Sequence, residues 1–234
     1  MSKGPLDVGW VGLQLPAQHA GARTTAVVTL RNTGAVPWGS GIFLSYHWLD
    51  DRDNPIVWDG IRTATPRLEP GGEATVEASV RAPIPPGRFR LAFDLVAEQR
   101  AWFSELGAGP LTRDVDVLPR PGGPNAGFPD WVVPAPDWAE RVRASHAEGY
   151  AVVAGALDWP EGLLRRRPRT LAAYRPGRGK VPGFAAPLLC PSVLAGVELT
   201  PLEPVEGLPA FAAPADEPWV YDGRIVLKVA AKRP

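Results

Sequence analysis

The chain has 234 residues, of which 45% are hydrophobic and 21% charged, and its 25 basic residues balance its 25 acidic ones. This length fits one or two domains with a substantial core. A formal charge of +0 provides no broad basic surface for nucleic acid or anionic lipid, so we expect no nucleic-acid partner. The one basic run, residues 165–169, is most simply a solvated loop, with a phosphate contact as the alternative.

The N-terminal residues lack a signal-peptide pattern, and no apolar run approaches the ~20 residues of a membrane span. The single cysteine, Cys190, can form no internal disulfide, and its apolar neighbours predict a buried structural thiol. The three histidines show no metal-ligand spacing, and we expect no cofactor. These features predict a cytoplasmic protein without a membrane span.

Short strand patterns separated by turn signals fill the first half of the chain. Residues 26–31 alternate as a strand, and residues 42–49 form another in which Trp48 shares a face with Leu44 and Tyr46. Asp59-Gly60 predicts a hairpin turn between residues 56–58 and 61–65. Further strands are predicted at residues 7–15, 74–80, 89–95, 101–104 and 112–118. This succession predicts a β-sandwich over residues 1–118.

The second half differs in composition, because 18 of the 28 prolines follow residue 118. Residues 119–136 predict a Pro/Gly-rich linker. Asp137 and Gly149 have the character of the start and end of a helix, and residues 150–157 form an apolar run typical of a buried strand. A terminal hairpin is predicted around Asp222-Gly223. The whole chain is therefore predicted to be mainly β, with a smaller Pro-rich α+β region at residues 137–234.

A set of turn glycines, prolines and aromatic residues in the first half has a characteristic order and spacing. Its members are Asn32-Thr-Gly34, Trp38, Gly41, Leu44, Pro70-Gly71, Ala82-Pro83, Pro86-Gly87, residues 89–95 and Trp102-Phe103. On these positions, residues 20–107 resemble the four-tryptophan, immunoglobulin-like domain of selective-autophagy cargo receptors and its bacterial relatives. The resemblance implies an immunoglobulin-like sandwich used for binding. Residues 46–50 and 58–63 are closer to bacterial copies found beside glycosyltransferases and other envelope-polysaccharide proteins.

A second pattern lies in the other half of the chain. It consists of Asp137-Trp138, His146 and a predicted helix followed by a strand at residues 152–156. Residues 137–157 thereby resemble the middle of a family-2-like GT-A glycosyltransferase. Such enzymes need an upstream nucleotide-binding half and an acidic metal motif, and here the sandwich stands in place of that half. The resemblance therefore implies a remnant or scaffold that does not transfer sugar by that mechanism.

The sandwich face opposite Trp48 is the predicted ligand-binding surface. Phe43 and His47 point to this face, and Trp58 precedes the predicted hairpin turn, where it can be exposed. Aromatic rings beside polar groups suit stacking on a sugar or on a partner's apolar side chain. Arg62 and Asp94 are expected to pair across neighbouring strands beside it. The alternative is that the second region or the first strand covers this face.

The only acidic cluster consists of Asp50, Asp51 and Asp53. Its position between two predicted strands indicates a surface turn, with a loose Ca²⁺ site as the alternative. No catalytic motif is recognisable. A catalytic pair of carboxylates that are distant in sequence and brought together by the fold remains an alternative.

Three functions follow from these patterns. The first is a non-catalytic binding or scaffold protein of bacterial envelope-polysaccharide metabolism that recognises a glycan or a partner protein. The second is a diverged glycan-active enzyme with a site at the domain junction. The third is a structural subunit that assembles into oligomers.

Overall fold

The structure is a computed structural model, and it describes residues 5–159, 174–177, 179–183 and 187–230. The chain divides into two compact units, Met1–Leu118 and Pro119–Pro234. Both are built mainly from β-strands, so the prediction of a mainly β chain is confirmed. The basic run at residues 165–169 lies outside the described residues.

The first unit consists of short antiparallel strands. They are β1 (Val8–Gln14), β2 (Arg23–Asn32), β3 (Ile42–Leu49), β4 (Pro55–Val57), β5 (Thr63–Ala64), β6 (Glu73–Arg81), β7 (Gly87–Ala97), β8 (Ala101–Trp102) and β9 (Leu111–Val117), with a 3-10 helix at Ser104–Leu106. One sheet has the order β1-β2-β6, and the other has the order β4-β3-β7-β8, with β5 also on β3 and β9 also on β7.

Both sheets of the first unit contribute to one hydrophobic core. Alternation in β2 buries Val28 and Leu30, and the other sheet contributes Trp48 and Phe93 to the same cluster. Trp48 is completely buried, and its indole nitrogen donates to the carbonyl oxygen of Arg81 at 2.8 Å. The assignment of Trp48 to the core is confirmed.

The predicted hairpin across Asp59-Gly60 is wrong, because β4 and β5 pair with β3 and not with each other. Trp48 pairs with Val57, and Phe43 pairs with Ala64. Between these two pairings, the amide of Gly60 donates to the carbonyl of Tyr46 at 2.9 Å. The long edge of β3 offers more backbone partners than a hairpin of two very short strands, so residues 55–64 follow that edge.

The second unit has its own strands and a helix. They are β10 (Val132–Pro134), α1 (Trp138–Glu148), β11 (Val152–Asp158), β12 (Lys180–Pro182), β13 (Leu188–Leu189), β14 (Ser192–Val193), β15 (Pro201–Val205), β16 (Leu208–Phe211) and β17 (Trp219–Val229). One sheet has the order β10-β17-β11-β14, with β12 also on β17, and a second has the order β13-β16-β15. Strand β11 is parallel to β17, and β12 and β10 are antiparallel to it.

Two predictions for the second unit are confirmed. Residues 152–157 form the buried part of β11, and α1 ends at Gly149, which has a φ of 126°. The predicted role of Asp137 as a side-chain cap is not realised. Its carboxylate instead accepts from Nε of Arg141 at 2.6 Å, one turn along the helix.

The predicted hairpin at Asp222-Gly223 is also wrong, because both residues lie inside the continuous strand β17. Gly155 of β11 pairs with Asp222, and the next residue, Ala156, pairs with Val226. Residues 223–225 therefore form a bulge. Buried β11 needs a hydrogen-bonding partner along its length, and β17 supplies one on both sides of this bulge.

Residues 119–136 belong to the second unit. Val132–Pro134 is strand β10, and Asn125 accepts a hydrogen bond from the amide of Val193 at 2.9 Å. Arg120 pairs with Glu217 at 2.9 Å. The segment predicted to be a linker is thus held by sheet pairing and an ion pair inside this unit.

Candidate functional site

A stack of two rings lies on the outer face of β3. Alternation along β3 places His47 opposite the buried Trp48, as the sequence predicts. The indole of Trp58, which follows β4, stacks on the imidazole of His47 with centroids 4.3 Å apart and planes 23° apart. Nδ1 of His47 donates a short hydrogen bond to the carbonyl oxygen of Trp58. Trp58 remains 51% exposed, as predicted, whereas His47 is only 4% exposed.

Trp102 completes this group, which we call the aromatic cluster (His47, Trp58 and Trp102). Its ring lies edge-on to His47 at 4.5 Å and edge-on to Trp58 at 6.1 Å. Trp102 comes from β8 and is buried. The ring of His47 therefore supports one face of Trp58 and the ring of Trp102 contacts its side, while the rest of Trp58 is accessible.

Asp94 lies beneath the aromatic cluster and is completely buried. Its carboxylate accepts from the amides of Leu95 at 2.7 Å and Ser104 at 3.3 Å. Nε2 of His47 is 3.9 Å from Oδ2 of Asp94, and it has no hydrogen-bond partner among the described residues. Asp94 therefore fixes the backbone that leads from β8 into the 3-10 helix.

Arg62 joins two carboxylates at the edge of the aromatic cluster. It contacts Asp59 at 2.7 Å and Glu98 at 2.8 Å, and we call Asp59, Arg62 and Glu98 the charged triplet. These hydrogen bonds, led by the one to Asp59, raise the pKa of the guanidinium. The predicted pairing of Arg62 with Asp94 is wrong, because residues 58–62 run along the outside of β3 and Asp94 is buried beneath.

A groove of about 640 Å³ opens beside the charged triplet, at the end of β3 and β7. We call it the end groove. Its lining includes Leu6, Val36, Ile42, Glu98, Arg100 and Leu106. Glu98 thus belongs to both the charged triplet and the end groove.

The acidic cluster at residues 50–53 forms a turn, as predicted. One oxygen of Asp50 accepts from the amides of Arg52 at 2.9 Å and Asn54 at 2.8 Å, and the other accepts from the side chain of Asn54 at 2.9 Å. Hydrogen bonding, led by the Asn54 side chain, lowers the pKa of Asp50. Asp53 pairs with Arg90. No group of three His, Cys, Asp or Glu side chains in the described part of the chain is arranged to hold a metal ion.

The second unit contains a buried polar pair that the sequence did not indicate. Nδ1 of His146 donates to the carbonyl of Tyr150 at 2.7 Å, and Nε2 accepts from the hydroxyl of Ser192 at 3.0 Å. That hydroxyl also accepts from the amide of Asn125 at 3.1 Å. Burial lowers the pKa of His146 and so favours the neutral ring.

The hydrogen-bonded pair of His146 and Ser192 has a structural role. Pro191 and Val193 line an apolar groove of about 630 Å³, together with Phe128 and Phe211. Ser192 lies between the first two residues in sequence but is only 1% exposed. Its hydroxyl is turned into the protein and joins α1 to β14, so it is not presented to a substrate in the groove.

The predicted ligand-binding residues therefore separate by accessibility. Trp58 and Arg62 are exposed, Phe43 is half-buried, and His47 and Asp94 are buried. Within the first unit, the face of β3 is partly covered by the segment that follows β4 and by β8. Asp59, Glu98 and Trp102 join the site without having been predicted. Asp59 is close to Trp58 and Arg62 in sequence, whereas Trp102 contacts Trp58 and Glu98 contacts Arg62 only through the fold.

Comparisons with known proteins add little to this geometry. No helix in the described residues has the length and apolar character that crossing a membrane requires. No family model and no curated protein matches the chain. Among solved structures, that of the putative ApaA protein from Bordetella pertussis matches at 20% identity and covers 51% of this chain and 99% of that chain, with a TM-score of 0.23. A TM-score of this size supports no inference about fold or function.

Proposed function

We propose that the chain is a non-catalytic binding protein whose first unit recognises a glycan. The observation that carries this proposal is the half-exposed indole of Trp58, which is fixed on His47 and bordered by the charged triplet. This places an apolar platform next to hydrogen-bonding groups of both polarities.

The arrangement matches the chemistry of a sugar ring. One face of a sugar carries C–H groups that pack against an aromatic ring, while its edge carries hydroxyls. Asp59 and Glu98 can accept hydrogen bonds from hydroxyls, and Arg62 can donate them. Because His47 and Trp102 already hold Trp58 in place, little side-chain freedom is lost on binding.

A protein partner fits this surface less well. Charged residues are depleted from the centres of protein–protein interfaces, and here Trp58 is followed directly by Asp59 of the charged triplet. The resemblance of residues 20–107 to a binding domain supports a binding role. The similarity of residues 46–50 and 58–63 to bacterial copies found beside glycosyltransferases supports a glycan, in envelope-polysaccharide metabolism.

The geometry favours binding over catalysis. Three carboxylates, Asp50, Asp51 and Asp114, line a cleft of about 400 Å³ on the first unit. A glycosidase needs a general acid with a raised pKa, whereas turn hydrogen bonds lower the pKa of Asp50. Asp114 accepts a hydrogen bond from Nε of Arg90 at 3.1 Å, so it already has a partner in this cleft.

The test is a glycan array followed by calorimetric titration of each positive glycan. Trp58→Ala should weaken binding by about tenfold or more, since a stacked aromatic contact contributes about 1.4 kcal/mol. Val11→Ala is the matched control, because Val11 is 52% exposed but lies on β1 in the other sheet. Equal binding by wild type and Trp58→Ala would overturn the proposal.

Two other results would replace the proposal with an alternative. A stable oligomer that dissociates in Trp58→Ala, without glycan binding, would identify Trp58 as an assembly contact. Binding of a protein partner that depends on Trp58, with a negative array, would identify a protein-recognition module.

A further inference from the structure

We infer that the sugar bound by the first unit carries an N-acetyl group, and that Ile56 and the free edge of β4 bind this group. The inference rests on the proposed function, because the sugar ring itself is placed on the indole of Trp58. It names the class of sugar that this platform selects, and it assigns the selection to Ile56.

Ile56 lies directly beside Trp58. Val57, between them, pairs with β3 and packs against the hydrophobic core. Its two neighbours point the other way, and Ile56 and Trp58 are 46% and 51% exposed. Two residues of extended chain span at most about 7 Å, so these two exposed side chains are neighbours on one surface. A substituent of a sugar ring stacked on Trp58 therefore has Ile56 within reach.

Ile56 and the charged triplet border the platform from opposite directions along β3. Ile56 precedes Val57, whose partner is Trp48 near the end of β3. Glu98 of the charged triplet lies near the other end, where its amide donates to the carbonyl oxygen of Gly41 at 2.8 Å. A bound sugar ring thus meets groups that bind hydroxyls on one side and an apolar side chain on the other.

Strand β4 also presents backbone hydrogen-bonding groups beside Ile56. It is the edge strand of its sheet, with β3 on one side only. Val57 and Pro55 pair with adjacent residues of β3, so Ile56 between them is the extra residue of a bulge. Edge strands and bulges leave amide and carbonyl groups outside the ladder. A ligand that carries an amide can pair with such groups, as an added strand does.

An acetamido substituent combines the chemistry of both features. Its methyl group can cover the exposed surface of Ile56, and its amide can pair with the edge of β4. A hydroxyl in the same position offers no apolar contact to Ile56. A methyl group attached directly to the ring is too close to Trp58, whereas the intervening amide of an N-acetyl group carries its methyl toward Ile56.

The test compares trisaccharides that differ only in an acetamido or a hydroxyl group, in the gluco and the galacto series, by calorimetric titration. The wild-type protein should bind the acetylated member of one series about tenfold more tightly than its hydroxyl counterpart. A buried methyl group and a hydrogen bond each contribute a severalfold gain.

Ile56→Val and Ile56→Thr provide a matched pair of variants, because valine and threonine have the same branched shape and differ in a methyl or a hydroxyl group. Ile56→Val should keep the preference for the acetylated trisaccharide. Ile56→Thr should bind that trisaccharide about fourfold more weakly than Ile56→Val does, and the two should bind the hydroxyl trisaccharide equally.

The control away from the site is Val11→Thr, because Val11 is 52% exposed on β1 in the other sheet. It should bind every trisaccharide as the wild type does. If the wild type does not prefer an acetylated trisaccharide, or if the two Ile56 variants bind it equally, the acetamido assignment is wrong, while Trp58-dependent binding keeps the proposed function. If Trp58→Ala also binds normally, or no glycan binds, both proposals fail.

Discussion

The indole ring of Trp58 rests on the imidazole ring of His47, with centroids 4.3 Å apart and ring planes 23° from parallel. His47 is almost fully buried, whereas Trp58 is half-exposed. The two residues therefore have different roles in one stack. His47 supports the site from inside the fold, and Trp58 presents it to the solvent.

This relationship predicts that His47→Ala destabilises the first unit more than Trp58→Ala does. Removing the buried His47 ring leaves a cavity between Trp58 and Trp102 and should lower the free energy of unfolding by about 2–4 kcal/mol. Removing the half-exposed ring of Trp58 should lower it by about 1 kcal/mol. Urea unfolding followed by far-UV circular dichroism measures both changes. Equal midpoints for the two variants would contradict the supporting role of His47.

Gly60 is predicted to be a position where no side chain fits. A Cβ atom there would lie 2.5 Å from the ring of Tyr46. This ring cannot move aside easily, because its hydroxyl accepts from the amide of Arg81 at 2.9 Å and its edge packs against Phe93. Gly60→Ala should therefore lower the free energy of unfolding by about 1–3 kcal/mol.

The matched control for this variant is Gly109→Ala. A Cβ atom at Gly109 would meet no described atom within 4 Å, and its backbone does not require positive φ. Thermal unfolding of both variants gives the comparison. If Gly60→Ala and Gly109→Ala unfold at the same temperature, the close approach of residues 58–62 to Tyr46 is wrong.

The sequence predicted those parts of the fold that depend on alternation within one segment. The inward positions of β2, the burial of Trp48 and the apolar strand β11 follow from local periodicity. Both Asp-Gly hairpins were wrong for one shared reason. Residues 55–64 pair with β3 and residues 219–229 pair with β11, and these distant partners outweigh a local turn signal.

The candidate site was predictable only in part. Trp58 lies at the surface as predicted, although the hairpin turn on which that prediction rested does not form. Alternation correctly turned His47 away from Trp48. The cover over His47 comes from Trp58 and Trp102, which are 11 and 55 positions further along the chain. Periodicity within β3 contains no information on such contacts, and the same holds for the pairing of Arg62 with Glu98.

Gly155 is predicted to be essential for the pairing of β11 with the bulge of β17. A Cβ atom on Gly155 would lie 2.6 Å from the backbone carbonyl oxygen of Ile225, which cannot move without displacing the strand. Gly155→Ala should therefore lower the free energy of unfolding of the second unit by about 3 kcal/mol or prevent its folding. Gly123→Ala is the control, since a Cβ atom there meets nothing within 4 Å. Soluble Gly155→Ala with unchanged urea unfolding would contradict the observed register.

Cys190 is predicted to be unreactive in the folded protein. It is 2% exposed, which confirms the buried thiol expected from the sequence, and burial raises its pKa to about 12. Because the thiolate is the reactive species, labelling by a disulfide reagent at pH 8 should be at least about 100-fold slower than for an unfolded thiol. The chain has one cysteine, so absorbance of the released thiol reports this site alone. Labelling in urea provides the control, and rapid labelling without urea would contradict the burial.

Because His146 is buried, we expect the second unit to lose stability as the pH falls below about 6.5. Burial lowers the pKa of His146 in the folded state from the ordinary value of 6.5. On acidification the unfolded chain therefore binds this proton first, and protonation favours unfolding. The contribution of neutral His146 is fully present above pH 6.5 and declines below it, with a slope approaching about 1.4 kcal/mol per pH unit.

His146→Gln isolates this contribution, because glutamine remains uncharged at every pH. The variant should be less stable than the wild type at pH 8, since its contacts with Ser192 and Tyr150 are altered. Its urea midpoint should then change less than that of the wild type between pH 7 and pH 5. The difference between the two proteins must shrink on acidification, because only the wild type has a buried imidazole to protonate. Parallel pH profiles would show that His146 is accessible to protons in the folded state.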